Sequence, residues 1–272
     1  MKDKISLAGD LGSGKSTVSK ILIEKLGAEY YATGSIVRAI AEKMNMSVVE
    51  LNKYMETHPE IDHEIDDGLR ALSEVDRLLI IDSRMAWHFT RGTFKVYLSC
   101  DIETSALRIM NANRQGEHSA SLEATVADTA ARRASEMKRY LEQYGVNIKD
   151  LTNYTLVVDT TSAAPDEIAA LILSAFEAWQ ADKTFSMAYI SPERLNYPDD
   201  EPNAELLSEY SAALEGGEQI PTVTVLEEDG EFYLEDGAEA ALAYAFNMNT
   251  FIPCRLVKGT PSGRYVKMKN SI

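Results

Sequence analysis

Gly9-Asp10-Leu11-Gly12-Ser13-Gly14-Lys15-Ser16 fits the pattern G-x-x-x-x-G-K-[ST], the loop that wraps the phosphates of a nucleoside triphosphate. Its glycines let successive backbone N–H groups turn inward around an anion, where side chains would obstruct the approach. Lys15 adds a point charge for the outer phosphates, and the Ser16 hydroxyl is the expected Mg²⁺ ligand. The motif has the context it needs. Ile5-Ser6-Leu7-Ala8 before it reads as a buried strand, and Val18, Ile21, Leu22 and Leu26 after it recur at helical spacing up to Gly27, a helix stop. The helix therefore points its positive dipole end at the bound phosphates. A glycine-rich turn with an incidental lysine would not require strand, loop and helix in that order.

Working outward, 272 residues allow two modest domains or one large one, and 45% hydrophobic with 26% charged residues is an ordinary globular composition. A formal net charge of −16 opposes attraction to a nucleic-acid backbone or an anionic membrane, so neither is expected as a partner. No apolar run approaches the length of a bilayer span, and Met1-Lys2-Asp3-Lys4 leads straight into the first strand, so a cytoplasmic protein is expected. Cys100 and Cys254 are too few for a disulfide framework and are expected as reduced, buried thiols. The spacing of His58 and His63 within a charged helix is no zinc pattern.

Apolar stretches at Ile5–Ala8, Glu29–Ala32, Leu78–Ile81, Phe94–Leu98 and Tyr154–Val158 alternate with helical patterns, which predicts an α/β fold with a five-stranded parallel sheet covered on both faces. The expected helices are Ser35–Met44, one opened by the capping box Ser47-Val48-Val49-Glu50, one from Pro59 to about Glu74, a long one over Ser121–Tyr144, and Asp166–Ala181 after Pro165. Near Lys183 the texture changes. Asn196-Tyr197-Pro198-Asp199-Asp200-Glu201-Pro202 reads as a polar, proline-bearing segment, and beyond it the pattern is short and hairpin-like. Strand 221–226, turn Asp229-Gly230, strand 232–234, an alanine-rich helix to Phe246 and strand 251–257 make a smaller α+β unit. The expected domains are 1–182 and 183–272.

A phosphate loop shows only that a triphosphate binds; a phosphotransferase also needs an acceptor site and mobile cations. Tyr31-Ala32-Thr33-Gly34-Ser35-Ile36-Val37-Arg38 places a glycine at a helix start and an arginine one turn on, suited to a monophosphate. Leu78-Leu79-Ile80-Ile81-Asp82-Ser83-Arg84 ends a strand with a carboxylate and an arginine at the edge where such sheets bind substrates. Asp82 is the candidate to fix Mg²⁺ or orient the accepting oxygen, and Arg84 to grip the acceptor. Each of these also has a plainer reading, as a solvated helix arginine or a strand-end turn. Arg108 and Arg114 flank a helix end and a Gln115-Gly116-Glu117 turn that could serve as a hinge. In the long helix, Arg132 and Arg139 are seven apart and share a face, so two guanidiniums could close over the phosphates as an arginine finger does. Glu136 could instead simply pair with Arg132 at i,i+4.

These stretches, with His58-Pro59-Glu60-Ile61-Asp62, Arg132-Arg133-Ala134-Ser135-Glu136-Met137-Lys138-Arg139-Tyr140 and Tyr144-Gly145-Val146-Asn147-Ile148, resemble the archaeal-type short cytidylate kinases of the nucleoside monophosphate kinase group of P-loop kinases, over residues 1–180. The resemblance implies transfer of the γ-phosphoryl of ATP to CMP or dCMP with Mg²⁺. It assigns Lys15 and Ser16 to ATP and Mg²⁺, Arg38 and Arg84 to the acceptor, and Arg132 and Arg139 to lid closure. With the readings above, the candidate residues are Gly9, Gly12, Ser13, Gly14, Lys15, Ser16, Thr17 and Arg114 for ATP; Ser16 and Asp82 for Mg²⁺; Thr33, Gly34, Arg38, Arg84 and Arg133 for the acceptor; and Lys15, Asp82, Arg132 and Arg139 for catalysis. One residue departs: Ser83 stands where the family usually has glycine.

Tyr189-Ile190-Ser191-Pro192-Glu193-Arg194-Leu195, Gly217-Glu218-Gln219-Ile220-Pro221 and Gly230–Gly237 are similar to the ParB/sulfiredoxin-like fold. Active members carry histidine and arginine after the Asp-Gly pair, where this chain has Ala238-Glu239-Ala240, so this unit is expected to be catalytically silent: a lid neighbour, a homodimer contact or a ligand sensor. Two alternatives to the pyrimidine nucleotide kinase are an ATP-binding regulatory switch and a kinase of another small metabolite. No guanine-reading Asn-Lys-x-Asp is visible to support a GTP switch.

Overall fold

Every residue of β1 (Lys4–Gly9) is buried, as an interior strand of a parallel sheet covered on both faces must be. The computed structural model describes residues 3–112 and 121–267; Arg114 and the Gln115-Gly116-Glu117 turn lie outside them. From β1 the chain continues through α1 (Lys15–Leu26), β2 (Glu29–Ala32), α2 (Thr33–Lys43), α3 (Val48–Met55), α4 (Pro59–Ala71), β3 (Leu79–Asp82), α5 (Ala86–Phe89), β4 (Thr93–Ser99), α6 (Ile102–Asn111), α7 (Leu122–Tyr144), β5 (Leu156–Asp159) and α8 (Pro165–Ala181). The five strands lie in the order β2-β3-β1-β4-β5, and every neighbouring pair is parallel. Ile5 stands between Ile80 and Phe94.

The two faces are closed by different helices. On one, Ile5, Leu7, Phe94 and Leu156 pack with Val18 and Leu22 of α1 and Ile168, Ile172 and Phe176 of α8. On the other, Leu79 and Ile81 pack with Leu69 of α4, Met85 and Tyr140 of α7. Each such buried side chain contributes roughly 1.5–3 kcal/mol.

Local chemistry sets the helix ends. Ser47 accepts from the Glu50 amide while Glu50 accepts from the Ser47 amide, the expected capping box. Pro59 starts α4, and a 3-10 turn over Leu72–Glu74 finishes it. Gly27 and Gly145 close α1 and α7 with φ of 60° and 65°, the left-handed region that glycine enters without steric cost.

Residues after 182 add β6 (Met187–Ile190), β7 (Leu195–Pro198), α9 (Ala204–Glu215), β8 (Val223–Glu228), β9 (Glu231–Asp236), α10 (Ala238–Phe246), β10 (Ile252–Val257) and β11 (Tyr265–Lys267). Their strands continue the same sheet: β6 pairs parallel with β5, Val158 opposite Tyr189, and the order runs on through β10, β8, β9, β7 and β11. Among the described residues, eleven strands thus form one sheet. A hydrophobic cluster crosses the junction, joining Tyr97, Tyr154 and Val157 to Ala188, Ile190, Val223 and Phe232.

The segment read as polar around Asn196 begins as strand β7, whose first three residues are buried. Its polarity is met internally, since the Asn196 amide donates to the Phe232 carbonyl at 2.9 Å. Helix α9 falls outside the elements expected from the sequence although Leu207, Tyr210 and Leu214 recur at helical spacing; these residues are half-buried, and Tyr210 packs on the core cluster of the C-terminal strands. Both cysteines are buried free thiols. Among the described residues, no helix is long and apolar enough to cross a membrane.

Candidate active site

The loop between β1 and α1 takes its shape from three glycines with positive φ: Gly9 at 151°, Gly12 at 74° and Gly14 at 83°. Close approach matters as much as the dihedral. A Cβ on Gly9 would stand 2.4 Å from the Leu98 carbonyl oxygen, and one on Gly12 the same distance from that of Ser105. Nothing lies within 4 Å of a Cβ on Gly14, the residue before α1. Ser16 and Thr17 are exposed on the first turn of α1, where helix amides lack intrahelical partners and the positive dipole end lies. Among the described residues, no group of three or more His, Cys, Asp or Glu could hold a metal ion. A Mg²⁺ carried on nucleotide phosphates needs only one or two protein oxygens, and Ser16 with Asp82 supplies a hydroxyl and a carboxylate on the same cleft.

That cleft has a volume of about 900 Å³ at the carboxyl edge of the first five strands, the binding side of open α/β sheets. Gly12 to Thr17 line it together with Thr33, Gly34, Arg38, Asp82, Arg84, Arg108, Arg132 and Arg139. Residues up to 127 positions apart in sequence therefore face one space.

The ammonium of Lys15 donates to the carbonyls of Gly9 at 2.9 Å and Asp10 at 2.7 Å. Burial, and the nearby Arg84 guanidinium, push it down to about 7. Asp82 accepts from the Tyr30 hydroxyl at 3.0 Å, and its backbone carbonyl accepts from Thr33. Arg38 is exposed beside Gly34, whose Cβ would lie 3.5 Å from an Arg38 guanidinium nitrogen. Ser83, the departure from the family pattern, is buried and its hydroxyl accepts from the Met85 amide.

The arginines are engaged within the protein. Arg84 donates through Nε to Glu136 Oε2 at 2.7 Å and through Nη1 to the Gly9 carbonyl. Arg132 reaches the other oxygen of Glu136 at 3.3 Å, so the i,i+4 pair forms. Burial alone would raise the Glu136 carboxyl, but Arg84 and Arg132 overcome it and hold it down to about 2. Arg139 is nearly inaccessible: it lies 3.0 Å from Asp62 of α4 and donates to the backbone and side-chain oxygens of Asn52 in α3. Arg108 donates to the Thr160 and Thr161 carbonyls at the end of β5. Arg133 points elsewhere, 3.6 Å from Asp10 and bonded to the Ser105 hydroxyl, and it is not among the residues lining the cleft.

Sequence reasoning missed Asn52, Asp62 and Asp66, which also line the cleft. The signal was present: Asp62, Asp66 and Leu69 fall four and three apart on α4, so two carboxylates share the buried face of that helix. Burial pushes Asp62 up to about 6, against the lowering pull of Arg139.

Residues 4–162 match the model of the cytidylate kinase-like family. The chain belongs to that family. A cytidylate kinase of Thermoplasma volcanium is 34% identical over 187 residues, 67% of this chain and 96% of the relative. A S-adenosylmethionine-dependent nucleotide dehydratase of Lacinutrix mariniflava is 35% identical over 179 residues, 65% of this chain but 36% of that protein. Among solved structures, a sulfiredoxin of Arabidopsis thaliana aligns over 27% of this chain and 85% of its own, with 18% identity and a TM-score of 0.25. Family membership rests on the matched residues 4–162, which include every cleft residue described above up to Arg139.

Proposed function

We propose that this chain transfers the γ-phosphoryl group of ATP to the phosphate of CMP or dCMP, with Mg²⁺. The observation that carries the reading is the convergence, on one cleft, of the phosphate loop, the β3-end carboxylate Asp82 and the arginines of α2 and α7. The amides from Gly12 to Thr17 and Lys15 hold the donor's phosphates, and Arg38 and Arg84, with Thr33 and Gly34, hold the acceptor. Ser16 and Asp82 would hold Mg²⁺, which when bound neutralises charge on the donor phosphates. An acceptor phosphate oxygen attacks the γ-phosphorus in line, the bond to the β–γ bridging oxygen breaks, and ADP leaves. The protein's contribution is placement of the two phosphates and cations aimed at the charge that spreads over the moving group. For Arg132 or Arg139 to reach that charge, each must exchange a carboxylate partner for a phosphate, so the ion pairs of α7 define the starting state of a closing step. A cytoplasmic location follows from the substrates, and we assign residues 183–272 as a silent accessory unit able to pair two copies of the chain.

The test is an ATP–Mg²⁺ assay against CMP, dCMP, UMP and nucleosides. CDP or dCDP should form, and Lys15→Ala should abolish transfer. Arg132→Ala should lower kcat by about a hundredfold while changing ATP affinity little, because its contact strengthens in the transition state. Product from another acceptor alone would assign a different metabolite kinase. ATP binding with no product from any acceptor would assign a regulatory switch.

A further inference from the structure

Asp10 is the second residue of the phosphate loop, yet its side chain does not line the cleft. It is buried on the opposite side, where it accepts from the Tyr97 hydroxyl at 2.9 Å and the Cys100 amide at 3.0 Å, and pairs with the ammonium of Lys149 and, at 3.6 Å, with Arg133. The same residue's backbone amide donates to the Leu98 carbonyl, and its carbonyl accepts from both the hydroxyl and the amide of Ser13. Three positive-φ glycines make this loop a segment with little intrinsic preference for one shape. The Asp10 side chain is therefore the loop's main fastening to the sheet behind it.

Lys149 comes from the segment between α7 and β5, and that segment is fastened by the C-terminal strands. Lys258, just past β10, pairs with Asp150 at 2.8 Å. Leu151 and Tyr154 pack in one cluster with Val223 and Val225 of β8. The Lys149 ammonium also stands 5.4 Å from the centre of the Tyr97 ring.

We propose that Lys149 is a positioning residue for ATP: it holds Asp10, and through Asp10 the phosphate loop, and the C-terminal strands hold the segment that carries Lys149 through the Lys258–Asp150 pair and the packing of Leu151 and Tyr154. The inference rests on the reading of the cleft as that of an ATP-dependent kinase. It gives the C-terminal strands a part in nucleotide binding although none of their residues lines the cleft. A loop that must present its amides at fixed positions loses much of its effect when its support is loosened.

The test uses the full chain and a fluorescent ATP analogue with Mg²⁺, alongside KM for ATP and for CMP. Lys149→Met should weaken analogue binding and raise KM for ATP about tenfold, with KM for CMP within about twofold of wild type. Lys149→Arg should restore most of the loss. Because Lys149 acts through Asp10, the double variant Asp10→Asn/Lys149→Met should be no worse than Asp10→Asn alone. The proposal is overturned by unchanged ATP binding in Lys149→Met, by an equal rise in both KM values, by failure of Lys149→Arg to rescue, or by additive losses in the double variant. Should Lys149→Met fail to fold, Lys149→Gln decides: it keeps a polar group beside Asp10 without the charge and should still weaken ATP about threefold, while wild-type affinity there overturns the proposal. A wild-type chain that binds the analogue but phosphorylates nothing defeats the acceptor reading alone, and the binding comparison still decides Lys149. A wild-type chain that binds no analogue defeats both.

Discussion

Lys15 is subject to opposing demands: a phosphate site needs its charge, while its surroundings push it down to about 7 through burial and the Arg84 guanidinium. Two carbonyls, of Gly9 and Asp10, accept its protons in the structure. Polyphosphate placed beside the same nitrogen favours the charged form. ATP binding is therefore expected to take up a proton, approaching one per site near pH 8 and vanishing well below pH 7. Calorimetry in buffers of different ionisation enthalpy measures it. The linkage for folding runs in the opposite sense, because folding releases the proton that ATP binding takes up. Because the folded group releases its proton more readily than the unfolded one, this residue's contribution to stability rises with pH between about 7 and its ordinary value of 10.5. Absence of proton uptake at pH 8 would show that Lys15 is already charged in the free protein.

Helix α7 is where the sequence was read with the least ambiguity as an element and with the most incomplete account of its partners. Its bounds follow from Ser121, whose hydroxyl accepts from the Ala124 amide, and from Gly145 at its end. Its docking follows from Glu136, which joins Arg132 of the same helix to Arg84 at the end of β3. Removing the carboxylate leaves two largely buried guanidiniums without it, so Glu136→Gln should cost about 3 kcal/mol near neutral pH, read by urea unfolding. The folded-state carboxyl is held down to about 2 against an ordinary 4.5, so its stabilising contribution is present above about 4.5 and is lost as pH falls toward 2. The gap between wild type and Glu136→Gln should accordingly close over that window. A gap independent of pH would show that the charge of Glu136 is not what docks the helix.

Across the whole molecule, the sheet passes from β5 to β6 without a break, and a buried ion pair ties the junction. Arg194, following β6, donates to the carboxylate of Asp159 at 3.3 Å and to the Gly230 carbonyl at 2.8 Å. Asp159 has no accessible surface at all. Its remaining partners, the Thr161 side chain and amide and the Ser191 amide, are neutral. Arg194→Met should therefore destabilise the chain by about 3–5 kcal/mol, the effect of leaving a buried charge unpaired. Coincident loss of signals from Trp87 and Trp179 in the first part and from tyrosines of the second would show that the two parts unfold together; separate transitions would show that the shared sheet does not make them cooperative.

The glycine-rich loop, the alternation that yields five parallel strands, the capping box at Ser47 and the hairpin at Asp229-Gly230 are all legible in the chain alone, because each is a local rule of spacing or of backbone freedom. That Arg38, Asp82 and Arg84 line one cleft is legible for the same reason, since strand ends and helix starts in such folds face one edge. Which distant charges meet is set by the fold: Glu136 takes Arg84 beside its own-helix partner, Arg139 is sunk between Asn52 and Asp62, Arg133 and Lys149 converge on Asp10, and β6 extends the sheet. Those facts depend on residues dozens to more than a hundred positions apart. Burial and ion pairing between such distant groups leave no periodic trace in the chain, whereas the folds that bring them together do.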